Sequence, residues 1–118
     1  GSMDAVEAAF EAVPREHFLP KGSRRRAADD WPIPIGHGQT NSQPRTVDDM
    51  LRLLAVEPGQ RVLDVGSGSG WTTALLAHLT GPTGRVVGVA DRGPRRRLPA
   101  AVRRVPGFGA RDRCGRRG

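Results

Sequence analysis

Several things this chain lacks narrow its reading. It has one cysteine, Cys114, so no internal disulfide can form, and that residue is read as incidental. No apolar run approaches the roughly 20 residues that a membrane-spanning helix needs. The start is an acidic amphipathic segment rather than a signal peptide, so a cytoplasmic location is expected. Tyrosine is absent and the aromatics are three Phe and two Trp. Trp31 and Trp71 are read as packing residues. His17 and His78 have no partner pattern, and no metal is expected. At 118 residues there is material for one small domain. Gly1-Ser2-Met3 reads as the scar of a cleaved tag and is left out of the fold reasoning.

The net charge of +7 suggests nucleic acid, but its distribution argues otherwise. Residues 1–90 hold nine Lys or Arg and ten Asp or Glu, whereas residues 91–118 hold ten Arg and two Asp. All of the excess lies in the tail. A basic groove on a folded surface draws its charge from scattered positions instead.

Apolar spacing sets out the elements. From Asp4 to Val13, residues Val6, Ala9, Phe10 and Val13 recur at i, i+3, i+4, i+7, which predicts an amphipathic helix stopped at Pro14. Arg15 to Pro20 adds one irregular turn. Lys21 to Gln43 has five Gly or Pro and no period, so a long loop is expected there, with Arg24-Arg25-Arg26 as a solvated charge run. A second helix is expected from near Ser42, with Pro44 in its first turn and Val47, Met50, Leu51 and Leu54 as its buried stripe. Glu57-Pro58-Gly59-Gln60 turns the chain into a strand, Arg61–Val65. A helix over Trp71 to Leu79 and a strand over Arg85–Val89 complete one parallel βαβ unit. After Val89 no period is visible. Ten Arg, five Gly and three Pro among 28 residues cannot bury enough apolar surface to offset about 1–2 kcal/mol of backbone entropy per residue.

The stretch RVLDVGSGSGW, Arg61 to Trp71, carries the most chemistry. A strand that ends in Gly66-x-Gly68-x-Gly70 can turn sharply and approach a ligand closely, and the following helix points free N–H groups at it. The dinucleotide fingerprint G-x-G-x-x-G would place its third glycine at Trp71, so it does not fit. The G-x-G-x-G spacing after Asp64 resembles instead the S-adenosylmethionine loop of class I methyltransferases. The plainer alternative is an ordinary glycine-rich turn.

Three segments, in order, resemble the protein-L-isoaspartate O-methyltransferases: VPREHFLP (13–20), WPIPIGHGQTNSQP (31–44), and Leu63 to Trp71. The middle one is the most specific. The resemblance covers about residues 4–89, and implies the N-terminal part of an α/β, Rossmann-like class I methyltransferase fold, with helices on a minimal parallel sheet. It further implies methylation, by S-adenosylmethionine, of the free α-carboxylate of isoaspartyl residues in damaged proteins. By resemblance, Ser42 is the active-site hydroxyl, with Thr40 and Gln39 lining the same pocket. Ile35, Gly36, His37 and Gly38 contact the substrate peptide, while Gly66, Ser67, Gly68 and Gly70 cradle the cofactor and Asp64 orients the turn. The family has an acid at the end of its second strand for the ribose hydroxyls. Ala90 stands at that place here, and Asp91, one position later, is its substitute. The chemistry agrees. A carboxylate of pKa near 4 is already an anionic nucleophile at neutral pH. The protein mainly has to align the two reactants, a contribution of up to about 7–11 kcal/mol. A plain helix N-cap is the alternative role for Ser42.

Eighteen Arg against one Lys is the usage of GC-rich coding, and reading such DNA out of frame yields Arg, Gly, Pro and Ala. Residues 91–118 are therefore expected to be disordered or out of frame after a shift near Ala90. Alternatively the tail is native and binds RNA or another polyanion. Two other whole-chain readings stand beside the first. One is a non-catalytic remnant that self-associates through an open sheet edge. The other is a methyltransferase of RNA or a small molecule, which the 34–44 string disfavours.

Overall fold

The computed structural model describes residues 3–36, 39–65, 69–89 and 108–111. Helix α1, Ala5–Ala12, opens with the Asp4 side chain accepting the Glu7 N–H at 2.8 Å and closes at Val13, ahead of Pro14. A 3-10 turn follows at Arg15–Phe18. Residues 21–43 depart from the expected featureless loop. They contain a 3-10 segment, Lys21–Arg26, and two short antiparallel strands, β1 (Ile33–Gly36) and β2 (Gln39–Asn41). Strands of three and four residues, one with Pro34 and Gly36 and a register shift between them, are too short for periodicity to find.

Helix α2 runs Pro44–Leu54 with Gln43, not Ser42, at its N-cap and no side-chain cap bond. The capping role offered for Ser42 is therefore not found. Of the expected stripe only Val47 and Leu51 are buried; Met50 and Leu54 face solvent. Strands β3 (Arg61–Val65) and β4 (Arg85–Val89) pair in parallel and in register from Arg61↔Arg85 to Val65↔Val89, on the expected boundaries. Gly84 leads into β4 at a crowded point, where an added Cβ would lie 2.5 Å from Thr80 Cβ.

Helix α3, Trp71–Thr80, is buried on nearly every side, because α1 packs on one flank and β3 and β4 on the other. Its Trp71, Ala74, Leu75, Leu76, Ala77 and Leu79 form the core with Ala9, Val13, Phe18, Val47, Leu51 and Val86. Along β3 the alternation is clear. Val62 packs against this core and Asp64 bonds to α3, while Arg61, Leu63 and Val65 face away and are exposed.

A third strand, β5 (Phe108–Arg111), pairs in parallel with β4, giving the order β3-β4-β5. The sequence reading placed no strand after Val89, and this is a correction. Four residues are too few for a periodic signal, and backbone pairing to β4 supplies the order instead. The rest of segment 91–118 lies outside the described residues. Among those that are described, no helix is long and apolar enough to cross a membrane.

Candidate functional site: a hairpin clasped to the turn after β3

The site is built around Arg15, a cation that is only 5% exposed. Its Nε donates to Asn41 Oδ1 at 2.7 Å. Nη1 donates to the carbonyls of Ala27 (3.3 Å) and Asp29 (2.9 Å), and Nη2 to those of Trp31 (2.6 Å), Asn41 (3.2 Å) and Ser42 (3.1 Å). One planar guanidinium thus serves five backbone carbonyls, those of Ala27, Asp29, Trp31, Asn41 and Ser42. Burial lowers the Arg15 pKa from its ordinary value, with Asp29 and Asp30 opposing. The guanidinium carbon lies 5.6 Å from the centroid of Trp71, within cation–π range. Asp30 extends the anchoring by accepting the Arg45 N–H at 2.9 Å, at the start of α2.

Asn41, 3% exposed, carries the contact onward: its Nδ2 donates to Ser69 Oγ at 2.6 Å. Ser69 stands in the glycine turn after β3. The hairpin β1–β2 and that turn are therefore joined directly. Gly70, at φ 90°, is in the left-handed region, where a side chain would be strained, and it opens α3 with no side-chain cap bond. On the β3 side, Asp64 Oδ2 accepts the Thr73 hydroxyl at 2.6 Å. Burial raises the Asp64 carboxyl above its ordinary value, and the Thr73 bond works the other way.

Of the residues picked from sequence, Thr40 lies in β2 opposite Pro34, and Ser42 follows β2 with its carbonyl on Arg15. Both are exposed. Ile35 is half-buried in β1, and Gly36 pairs with Gln39 across the two strands. Asp64 and Gly70 flank the glycine turn. His37, Gly38, Gly66, Ser67, Gly68 and Asp91 lie outside the described residues. Trp71 packs in the core as expected, whereas Trp31 is 65% exposed, so the packing role read for it is corrected. An apolar groove between α1, α2 and the end of α3, lined by Val6, Leu51, Val56 and Leu79, involves none of the picked residues.

Sequence reasoning missed Arg15, Asn41 and Ser69. Each lies inside a motif it quoted, but a single polar residue carries no period. Only the fold brings partners 26 and 28 positions apart together.

The family model for protein-L-isoaspartate(D-aspartate) O-methyltransferase matches residues 1–100. The chain belongs to this family. Among curated members, the protein-L-isoaspartate O-methyltransferase of Aeropyrum pernix is 54% identical over 81 residues, covering 69% of this chain and 31% of that protein. That of Methanothermobacter thermautotrophicus is 45% identical over 83 residues, covering 70% and 38%. A solved Plasmodium falciparum chain, assigned as a protein-L-isoaspartate O-methyltransferase and held in complex with S-adenosyl-L-homocysteine, superposes with a TM-score of 0.66 at 29% identity, over 76% of this chain and 42% of that one. A second solved protein-L-isoaspartate O-methyltransferase gives a TM-score of 0.73 at 26% identity, over 90% and 36%. The fold is the α/β, Rossmann-like fold of these methyltransferases. The chain spans about a third of the length of these two curated relatives.

Proposed function

We propose that this chain is the N-terminal part of a methyltransferase that uses S-adenosylmethionine to esterify the free carboxylate of L-isoaspartyl residues in damaged proteins. One observation carries the reading: Asn41, between Thr40 and Ser42, hydrogen-bonds to Ser69 in the glycine turn. The two segments that would hold the acceptor and the donor therefore touch. The family membership, and the relative solved with S-adenosyl-L-homocysteine, support the same view.

The residues around the turn fit such a cofactor. A left-handed glycine opens α3, the first N–H groups of that helix have no intrahelical acceptor, and half-buried Asp64 adjoins the strand end. S-adenosylmethionine, when bound, supplies an electrophilic methyl group on a sulfonium. Gly66, Ser67, Gly68 and Gly70 hold its methionine part in this reading, with Asp64 orienting the turn and Asp91 serving the ribose. On the acceptor side, Ile35, Gly36, His37 and Gly38 hold the peptide, and Gln39 and Thr40 line the pocket. The Ser42 hydroxyl donates to one oxygen of the substrate carboxylate and so aims the other. No side chain has to remove a proton, since the acceptor is ionised at neutral pH.

The test is incubation of the chain with labelled S-adenosylmethionine and an isoaspartyl peptide, beside the matching aspartyl peptide. Base-labile methyl ester on the first peptide alone supports the reading, and no ester on either rejects it for this chain.

A second reading has its own observation. Leu63 and Val65 on β3 are aligned with Val87 and Val89 on β4, and β3 pairs with no strand but β4 among the described residues. Parallel sheets are normally covered on both faces. A second copy of the chain, pairing its own β3 with this one, would close the edge and set the two apolar faces side by side, making a self-associating, non-catalytic module. In that module the arginine-rich segment 91–118 would bind polyanions, with affinity falling as salt rises.

A further inference from the structure

We infer that Asn41 and Ser69 are positioning residues, a clasp through which the acceptor-side hairpin and the donor-side turn order one another. The inference rests on the methyl-transfer reading of those two segments, and neither residue is among those assigned to substrate or cofactor.

The direction of each hydrogen bond is fixed by chemistry. Arginine can only donate, so the oxygen of the Asn41 amide faces Arg15 Nε, at 2.7 Å. The amide nitrogen is left for Ser69 and donates to its Oγ at 2.6 Å. The same Oγ accepts the Trp71 backbone N–H at 3.4 Å, an N–H at the start of α3 that has no acceptor within the helix. Both lone pairs of the Ser69 hydroxyl are thus used inside the protein. Trp71 in turn lies under the Arg15 guanidinium, so Arg15, Asn41, Ser69 and Trp71 form a closed circuit. The hairpin, the turn and α3 each contribute to it.

Three hydrogen bonds and one cation–π contact leave little freedom for the hairpin to shift against the turn. Methyl transfer depends on such alignment, and a misplacement of about 1 Å can slow an aligned reaction on the order of a hundredfold. By reciprocity, a ligand that orders the turn also orders the hairpin through Asn41.

Hydrogen exchange on the full chain tests this, comparing the parent with S69T and S69V, which match in shape and differ by the hydroxyl, and with S69A. In S69V and S69A, amides of segment 33–42 are expected to exchange about five- to tenfold faster, the effect of one lost hydrogen bond, while those of α3 after Ala74 hold. S69T is expected to stay within about twofold of the parent. Saturating S-adenosylhomocysteine should slow exchange in 33–42 in the parent and S69T but not in S69V. The clasp is overturned if S69V and S69T behave alike, or if the hairpin exchanges at the parent rate in S69A. Should the parent bind no S-adenosylhomocysteine by calorimetry, the methyl-transfer reading fails for this chain, while the S69T and S69V comparison still decides the clasp.

Discussion

The indole Nε1 of Trp71 donates to the backbone carbonyl of Val13 at 2.9 Å, across 58 positions of sequence. This bond joins the first residue of α3 to the last turn of α1, where Phe10 meets the same indole edge-on at 5.4 Å between ring centroids. Most of the core depends on how these two helices meet. W71F keeps an aromatic ring and loses the donor, leaving the Val13 carbonyl buried and unpaired. It is expected to cost about 1–3 kcal/mol. Urea unfolding followed by circular dichroism measures the loss; a midpoint equal to the parent's would show that packing, not the bond, fixes the helices.

Arg15 gives a second prediction. Its five N–H groups reach six acceptors from Ala27 to Ser42. A lysine keeps the charge but offers three donors from one point and cannot span them. R15K is expected to lose about 2–4 kcal/mol, since bonds to a charged group contribute roughly 1.5–3 kcal/mol each and are not additive. The loss should fall first on segment 27–42, seen as early proteolytic cutting there while α3 stays protected. Uniform cutting along the chain would argue against the hub.

How much of this was legible in the sequence follows from what produces a signal. Helix α1, strand β3 and strand β4 were found at or near their boundaries, because burial of one face imposes a period on Val6, Ala9, Phe10 and Val13 or confines a short apolar run between turns. Of the glycine run, Gly70 takes a positive φ that a side chain would strain, while positions 66–68 lie outside the described residues. The hairpin and its anchor were not found. Nothing near Asn41 or Arg15 in sequence says that each will meet the other, since the two stand 26 positions apart. Leu54 and Met50 mark the opposite error: their spacing promised a core, yet α2 has no neighbour on that side among the described residues.

The Asp64 carboxyl supplies a pH prediction. Its pKa is raised above the ordinary 3.8, first by burial. A raised acid binds its proton more tightly folded than unfolded. Its contribution is therefore most favourable below 3.8 and declines as pH rises through the folded value, then stays constant. The amide of D64N still accepts from Thr73 and does not ionise. Stability of D64N relative to the parent should therefore grow from pH 3.8 upward and then level off. Asp4, lowered by its bonds to Arg52 and to the Glu7 N–H, pulls the other way, losing stability as pH falls, but it is common to both proteins and cancels in the difference. Thermal melts from pH 3 to 7 measure it; a difference that does not vary with pH would contradict the burial argument.

The bare face of β3 yields the last prediction. Leu63 is 63% and Val65 74% exposed, on the side of the sheet away from α3. Charged groups on an edge strand are a common means of blocking edge-to-edge pairing, because each added partner must desolvate them. Since neither side chain is buried in the single chain, L63K and V65K should change its unfolding free energy by no more than about 0.5–1 kcal/mol. Combined, they should abolish any rise of sedimentation-average mass with concentration that the parent shows. If the double variant associates as strongly as the parent, the contact lies elsewhere and the self-association reading loses its interface. If the parent itself stays monomeric at high concentration, that reading is wrong, and the apolar face stays bare without drawing a second copy.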